Sequence, residues 1–367
     1  MPFVLDGALG AAVDAGASDV HLKVGARPRA RVDGELTDLA DLPTFTSDDA
    51  AAVSAAVLTT DGKREDLAAH GAADLSYSTA DARFRVSAFA LRGQNSFVFR
   101  IVPSAPDASG LGIPEVVLSW ASAPRGLIVV TGPSGMGKST TCAALINGVN
   151  RTRDCHIVTI EDPVEYLHDD DRALISQREI GVDAPTYQDG LRAALRQDPD
   201  VILVGEVRDA ATADTALRAA ETGHLVLCTM HTSDAPDTVQ RFLALFSDQA
   251  AELARRTLAS ALVGVVSQRL VPARDGGRAL AAEVLVNTTR IADLIGQAAP
   301  GSDISSAIAE GDYYGMRTFD QSLLELVRAG EVEAERASEF ASSPHDFRLM
   351  LGGSGPQRLG EPAYVRA

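Results

Sequence analysis

The stretch TGPSGMGKST at residues 131–140 limits the possible folds of this chain more than any other feature. It fits the pattern of a glycine, four residues, a second glycine, lysine and serine, whose backbone N–H groups turn toward phosphate oxygens. In this pattern the lysine reaches the β- and γ-phosphates and the serine hydroxyl is a Mg²⁺ ligand. The stretch follows the apolar run GLIVVTG and opens a helical pattern, so the positive end of a helix would face the anion. The sequence therefore predicts a site for ATP and Mg²⁺ made by Gly132, Ser134, Gly135, Gly137, Lys138, Ser139 and Thr140, with Ser139 as the metal ligand.

The apolar run before the loop is the first of four, and helical patterns separate them. The other three are CHIVTIED, DVILVGE and HLVLCTMHT. Strands that alternate with helices favour a parallel sheet, and such sheets bind ligands at the carboxyl ends of their strands. We therefore expect the polar residues that end these runs to lie together beside the phosphate-binding loop.

Acidic residues end two of these runs. Glu206 ends the third run and is predicted to hold the Mg²⁺ through water. The second run continues as TIEDPVEY, which brings Glu161, Asp162 and Glu165 within five residues of one another. So many carboxylates repel one another unless a cation is near, and ATP hydrolysis needs one of them to orient or deprotonate water. The alternative is a solvated acidic loop.

Two histidines flank the fourth run. His231, at its carboxyl end, is predicted to sense the γ-phosphate, whereas His224 lies at the amino end. The two are a poor zinc pair because no third ligand has suitable spacing. The three cysteines of the chain include no C-x-x-C pair, so neither a zinc module nor a disulfide framework is predicted.

Composition and pattern divide the chain into domains. Residues 1–102 are predicted to form a mixed α/β domain, and the Pro-, Gly- and Ser-rich residues 103–114 a linker. Residues 115–350 are predicted to form the nucleotide-binding domain, with a mostly helical part from residue 251 onward. Residues 351–367 have turn residues and little periodicity, and we expect them to be disordered.

Arginines recur on two strand candidates of the first domain, ARFRVSAFAL and NSFVFRIVP. By default such arginines belong to a solvated strand face. In a ring of subunits they would gain a function, because an arginine from one subunit can stabilise phosphoryl-transfer charge in its neighbour.

The net charge of the chain is −17. This charge argues against nucleic acid as a partner, since binding to phosphate backbones needs Lys and Arg. No apolar run approaches the roughly 18 residues of a membrane helix. A cytoplasmic protein is therefore expected.

At the level of whole motifs, the chain resembles the secretion ATPases of type II secretion and type IV pili, the GspE/PilT superfamily, and most of all its retraction type. The resemblance extends from about residue 17 to about residue 350. It rests on five motifs in one order, ASDVHL, GPSGMGKST, TIEDPVEY, LRAALRQDPDVILVGEVRD and AAETGHLVLCTMHT.

The resemblance implies an N-terminal PAS-like α/β domain, a C-terminal RecA-like P-loop ATPase domain with a helical C-terminal part, and assembly into a homo-hexameric ring. It assigns the catalytic base to Glu165 and the Walker B carboxylate to Glu206. His224 and His231 correspond to the histidine box. Arginines of the N-terminal domain complete the neighbouring site in the family, and the residues that match best are Arg85 and Arg100.

The retraction type is favoured because the chain has neither the longer N-terminal region nor the four-cysteine zinc module of assembly-type relatives. One motif departs from that type. Retraction ATPases typically carry an AIRNLIRE-like motif, where this chain has TRIADLIGQ at residues 289–297 and lacks the arginine before the Asn position and the final Arg-Glu. The resemblance further implies ATP-driven pilus retraction and twitching motility at the inner face of the cytoplasmic membrane. The implied partners are an inner-membrane pilus platform protein and a paralogous pilus ATPase.

Four alternatives remain open from the sequence. The first is a pilus assembly or type II secretion ATPase, and the second a non-hydrolysing accessory subunit of the same family. The third is a RecA-like nucleic-acid motor, which the acidic charge disfavours. The fourth is a small-molecule kinase, which would have no use for the histidine box or the long C-terminal part.

Overall fold

The computed structural model describes residues 3–39 and 42–352. The disorder predicted for residues 351–367 is wrong for residues 351 and 352, which end the last helix, and residues from 353 onward lie outside the described part. The chain separates into two compact units, Met1–Ser104 and Ala105–Ala367. No helix among the described residues is both long enough and apolar enough to cross a membrane.

The N-terminal unit is an antiparallel sheet of six strands in the order β3-β2-β1-β6-β5-β4. Strand β5 alternates between buried and more exposed residues, with Phe84, Val86 and Ala88 buried. These side chains pack in one core with Phe97 and Phe99 of β6, while Arg83, Arg85 and Ser87 of β5 lie on the opposite face. The elements are α1 (Leu5–Asp14), β1 (Asp19–Leu22), β2 (Arg29–Val32), β3 (Glu35–Asp38), α2 (Ser47–Val57), α3 (Asp61–His70), β4 (Ala72–Ser78), β5 (Arg83–Leu91) and β6 (Gln94–Ile101).

The C-terminal unit is built on a seven-stranded sheet in the order β13-β12-β7-β11-β10-β8-β9. All neighbouring pairs run parallel except β12 and β13. Two separate apolar cores, one on each face, cover the sheet. The elements are α4 (Glu115–Ser119), β7 (Gly126–Thr131), α5 (Lys138–Thr152), β8 (His156–Glu161), β9 (Leu174–Glu179), α6 (Tyr187–Ala194), β10 (Val201–Val204), α7 (Ala210–Thr222), β11 (Leu225–Met230), α8 (Ala235–Ala244), α9 (Asp248–Ala261), β12 (Leu262–Pro272), β13 (Arg278–Val286), α10 (Thr289–Gly296), α11 (Gly301–Ala309), α12 (Phe319–Arg328), α13 (Ala334–Phe340) and α14 (Pro344–Gly352).

The four apolar runs of the sequence are β7, β8, β10 and β11, and they form the middle of this sheet. The expectation of a mostly helical part after residue 251 is correct for α9 to α14 but misses the long hairpin of β12 and β13. Strand β12 lies between β7 and β13, so most of its residues are buried and it lacks the alternation that marks a half-exposed strand. A buried run of this kind cannot be told from a buried helix by periodicity.

Candidate nucleotide-binding site

The phosphate-binding loop connects β7 to α5. All six residues of β7 are buried, so the loop starts from a fixed point. Gly132 has φ +142°, and a Cβ atom at this position would lie 2.6 Å from the backbone oxygen of Gln268 on β12. Gly137 has φ +82° and caps α5. The two glycines therefore allow a close turn against the neighbouring strand that a larger residue would block.

The side chain of Lys138 lies inside this loop and is 9% exposed. Its Nζ donates to the carbonyl oxygens of Gly132, at 2.8 Å, and Pro133, at 3.0 Å. Burial lowers the pKa of Lys138, and the nearby carboxylate of Glu206 acts in the opposite direction. The lysine is thus held at the loop by neutral carbonyls, which phosphate oxygens would replace as stronger acceptors.

Glu206 lies just beyond β10, beside the lysine. Its Oε2 accepts a hydrogen bond from Arg208 at 2.6 Å, and its Oε1 is 3.3 Å from Nε2 of His231. Burial acts to raise the pKa of Glu206, but the hydrogen bond from Arg208 and the adjacent ring of His231 outweigh it, so the pKa lies below its usual value. The other ring nitrogen of His231 is 3.4 Å from Nζ of Lys138. His231 therefore bridges the carboxylate and the lysine.

The carboxylates that follow β8 differ in their surroundings. Glu161 accepts hydrogen bonds at Oε1 from Thr159, at 2.6 Å, and Gln177, at 3.1 Å, and burial raises its pKa. Asp162 and Glu165 are exposed, and both face the same cavity. Glu161 is therefore hydrogen-bonded to neighbours of its own chain, whereas Asp162 and Glu165 present exposed carboxylates to the cavity.

A cavity of about 770 Å³ lies along the carboxyl ends of β7, β8, β10 and β11. This volume lies within the range of small-molecule and cofactor pockets, roughly 300 to 1,000 Å³. The residues predicted from sequence that line it are Ser134, Gly135, Gly137, Lys138, Ser139, Thr140, Glu161, Asp162, Glu165, Glu206 and His231.

Four predicted residues are placed elsewhere. Gly132 contributes the carbonyl that Lys138 contacts but does not line the cavity. His224 precedes β11, where its Nδ1 is 3.0 Å from the oxygen of Ala219. The six residues of β11, at about 3.3 Å each, place His224 roughly 20 Å from the cavity end of the strand. The other two, Arg85 and Arg100, belong to the N-terminal unit and are not among the lining residues.

Those two arginines lie directly opposite each other on β5 and β6, and Arg100 is opposite Asp19 of β1. Asp19 is 6% exposed and accepts a hydrogen bond from Nε of Arg100 at 2.9 Å. Burial acts to raise the pKa of Asp19, but hydrogen bonds from Ser18 and Arg100 outweigh it and leave the pKa lowered. The ASDVHL motif therefore supplies the carboxylate that fixes Arg100.

Sequence reasoning missed several lining residues, of which Tyr166 ends the TIEDPVEY motif, whereas Gln268 and His168 belong to no motif. The Thr140 hydroxyl is 2.9 Å from that of Tyr166, which ties the acidic loop to α5. Gln268 is buried, and its Nε2 donates to Thr141 at 2.6 Å. His168 also lines the cavity, and burial lowers its pKa to about 4, so its ring is neutral at pH 7. These contacts come from segments distant in sequence, and only the fold brings them together.

The donors present fit Mg²⁺. Both Ser139 and Glu206 line the cavity and offer the oxygen atoms that Mg²⁺ prefers. Among residues 3–39 and 42–352 no three His, Cys, Asp or Glu side chains form a preformed metal cage. That fits a Mg²⁺ that keeps several waters and takes its remaining ligands from phosphates.

A parallel sheet with this loop, a buried lysine and acidic residues at the adjacent strand ends defines a P-loop ATPase. A family model described as type II/IV secretion system protein matches residues 2–292, and the chain belongs to this family. The chain is 40% identical over 334 residues to the type IV pilus retraction ATPase PilT of Pseudomonas aeruginosa, covering 90% of this chain and 96% of that protein. It is 36% identical to the type IV pilus ATPase PilU of the same organism, covering 92% of this chain and 89% of PilU.

Its structure is also similar to a crystal structure of the pilus retraction motor PilT with bound ADP. The TM-score is 0.81 at 39% identity, covering 95% of this chain and all of that one. The comparison confirms the predicted fold class, a PAS-like α/β domain followed by a RecA-like ATPase domain, and the resemblance on which it was based. The chain is a PilT-like, nucleotide-binding ATPase.

Proposed function

We propose that this chain is the subunit of a hexameric motor that hydrolyses ATP to retract type IV pili and so drives twitching motility. The observation that supports it most is the cavity at the sheet edge, where Lys138, Glu165, Glu206 and His231 meet the phosphate-binding loop. The identity to PilT over nearly the full length of both chains supports retraction as the use of that ATPase.

In the proposed reaction the loop N–H groups and Lys138 bind the β- and γ-phosphates. Ser139 and Glu206 would hold Mg²⁺, which would supply neutralisation of the phosphate charge. Glu165 orients the attacking water and takes its proton. His231, between Lys138 and Glu206, reports whether the γ-phosphate is present. Loss of that phosphate then changes the hydrogen bonds of both residues.

The proposed ring places Arg85 and Arg100 of one subunit at the cavity of the next. Residues 103–114 serve as the linker between domains at 1–102 and 115–350. The partners are an inner-membrane pilus platform protein and a paralogous pilus ATPase, with the ring at the inner face of the cytoplasmic membrane. Nucleic acid is not a partner of a chain with net charge −17.

The assembly of a working site from two subunits is tested by the Mg²⁺-dependent ATPase rate per subunit across protein concentration. We expect the rate to rise steeply with concentration until rings form, because an isolated subunit lacks the neighbour's arginines. A substantial rate that stays flat down to monomer concentrations would contradict shared sites. Absence of activity at every concentration would instead support the non-hydrolysing accessory subunit.

The direction of pilus movement needs a separate test, because the motif at residues 289–297 departs from the retraction pattern. In the structure this segment is α10, whose buried Ile291 and Ile295 pack into the core, and whose Arg290 pairs with Glu310. Deleting the gene in its own host is expected to leave surface pili in place but unable to retract. Cells without pili would assign the chain to assembly, and normal retraction would assign it to an accessory function such as that of a second pilus ATPase.

A further inference from the structure

The cavity has two ends of different chemistry. At one end lie Lys138, His231 and Glu206, which the proposed function places at the γ-phosphate. At the other end lie Leu111 and Leu280, which also line the cavity. A Cβ atom at Gly112, next to Leu111, would lie 3.6 Å from Cβ of Leu280. The second end is therefore formed by the segment before α4 and by strand β13.

Leu270 extends the apolar surface of this second end. It lies opposite Leu280 on the paired strand β12, and its Cδ1 would be 3.7 Å from a Cβ atom at Gly137. Its backbone N–H donates to the sulfur of Met136 at 3.2 Å. The second end thus begins immediately beside the phosphate-binding loop, where the nucleoside of a bound nucleotide must lie if its phosphates occupy the loop.

One charged side chain stands at this apolar end. Arg278 is the first residue of β13, and its Nη1 donates to the carbonyl oxygen of Gly135 at 3.3 Å. In the part of the chain that the structure describes, its guanidinium forms no ion pair. Arg274, on the same hairpin, pairs with Glu333 at 2.7 Å, as expected in a chain with 50 acidic residues. Arg278 therefore lies at the apolar end of the cavity without a carboxylate partner, and this position needs an explanation.

We propose that Arg278 binds the nucleoside end of the substrate, with its guanidinium against one face of the base and Leu111 and Leu280 against the other. This inference rests on the proposed ATPase function. The planar guanidinium stacks on aromatic rings, and the adjacent leucines exclude water from the contact. Lys138 and the loop N–H groups bind the β- and γ-phosphates, so binding of these phosphates does not require Arg278.

Stacking of this kind does not read the edge of the base. Arg278 therefore raises the affinity for purine nucleotides without selecting among them. The site should bind ATP and GTP through the same contact, and its preference for either should not depend on Arg278.

The test is the variant Arg278→Ala, compared with the wild-type full chain and with the control Arg274→Ala from the same hairpin. We expect the KM for ATP and the Ki for ADP to rise about tenfold, the size expected for a partly desolvated guanidinium on an aromatic ring, with kcat unchanged. The Ki for inorganic tripolyphosphate, which has no nucleoside, should be the same in both proteins. The same factor should be measured for GTP. Arg274→Ala should leave every value unchanged.

Two results would overturn the inference. An equal loss of affinity for ADP and tripolyphosphate would mean that Arg278 only stabilises the phosphate-binding loop through its hydrogen bond to Gly135. Unchanged constants for all ligands would make it a solvated surface arginine. If the wild-type chain itself neither binds nor hydrolyses ATP, the proposed function fails instead, so the two failures are distinguishable.

Discussion

Replacing Glu165 with glutamine should leave ATP binding intact and slow turnover by at least about a hundredfold, within the usual range for a general base. The change keeps the shape of the side chain but removes its negative charge and its ability to accept a proton. Glu165 is exposed and faces the cavity, whereas Glu161 is half-buried and accepts hydrogen bonds from Thr159 and Gln177. Equilibrium binding of ATP and the single-turnover rate should be measured on the same preparation, so that binding and chemistry are separated.

A matched control is Asp169→Asn, which removes one negative charge from the same segment. Asp169 is exposed, is not a lining residue, and contributes its backbone oxygen rather than its carboxylate to Asn150. This variant should turn over ATP at the wild-type rate. Near-normal turnover by Glu165→Gln would assign the base to Asp162 or Glu161, and the corresponding amide variants would decide between them.

The parts of the site that could be predicted from sequence are those in which a short segment carries its own signal. Gly132, Gly137 and Lys138 belong to a loop whose spacing is set by the geometry of phosphate binding. Glu206 and His231 each follow a buried strand, and the carboxyl ends of parallel strands meet at one edge. Local pattern and sheet direction together were therefore enough to predict that these side chains line one cavity.

The parts that could not be predicted depend on which strands are neighbours. Gln268 borders the loop only because β12 pairs with β7, and β12 has no alternation that marks it as a strand. Arg278 reaches Gly135 across 143 positions of sequence. The bond from Arg208 to Glu206 spans only two residues, but its geometry depends on the turn that follows β10. Strand order and side-chain direction are tertiary information that a local pattern does not contain.

In the N-terminal unit the sequence indicated that arginines could contribute to a site. It did not indicate which residues hold those arginines in position. Arg100 is held by Asp19, a carboxylate 81 positions away, across two paired strands. Removing Arg100 would leave a buried carboxylate without its ion pair, which would destabilise the unit. Arg85 is the second arginine that the resemblance assigns to a neighbouring site.

We expect Arg85→Ala to reduce the ATPase rate of the proposed ring by roughly a thousandfold, the lower range for an arginine supplied by a neighbour. Binding of ATP to the loop should change little, because Lys138 and the loop N–H groups are intact. The control is Arg29→Ala in the same unit, since Arg29 forms an exposed ion pair with Asp38. Such pairs contribute little to stability, so this variant should keep the wild-type rate.

Mixing Arg85→Ala with the inactive variant Lys138→Ala should then restore activity that neither has alone. In an equal mixture of exchanging subunits the rate should reach about a quarter of the wild-type value per subunit, because half of the subunits keep the lysine and half of those meet a neighbour with Arg85. Co-purification through a tag on one variant shows that mixed rings form. Mixed rings without recovered activity would mean that Arg85 acts within its own subunit or not at all. The arginine that completes the site would then have to be sought among the residues of the C-terminal unit, beginning with Arg208, which already lies at Glu206.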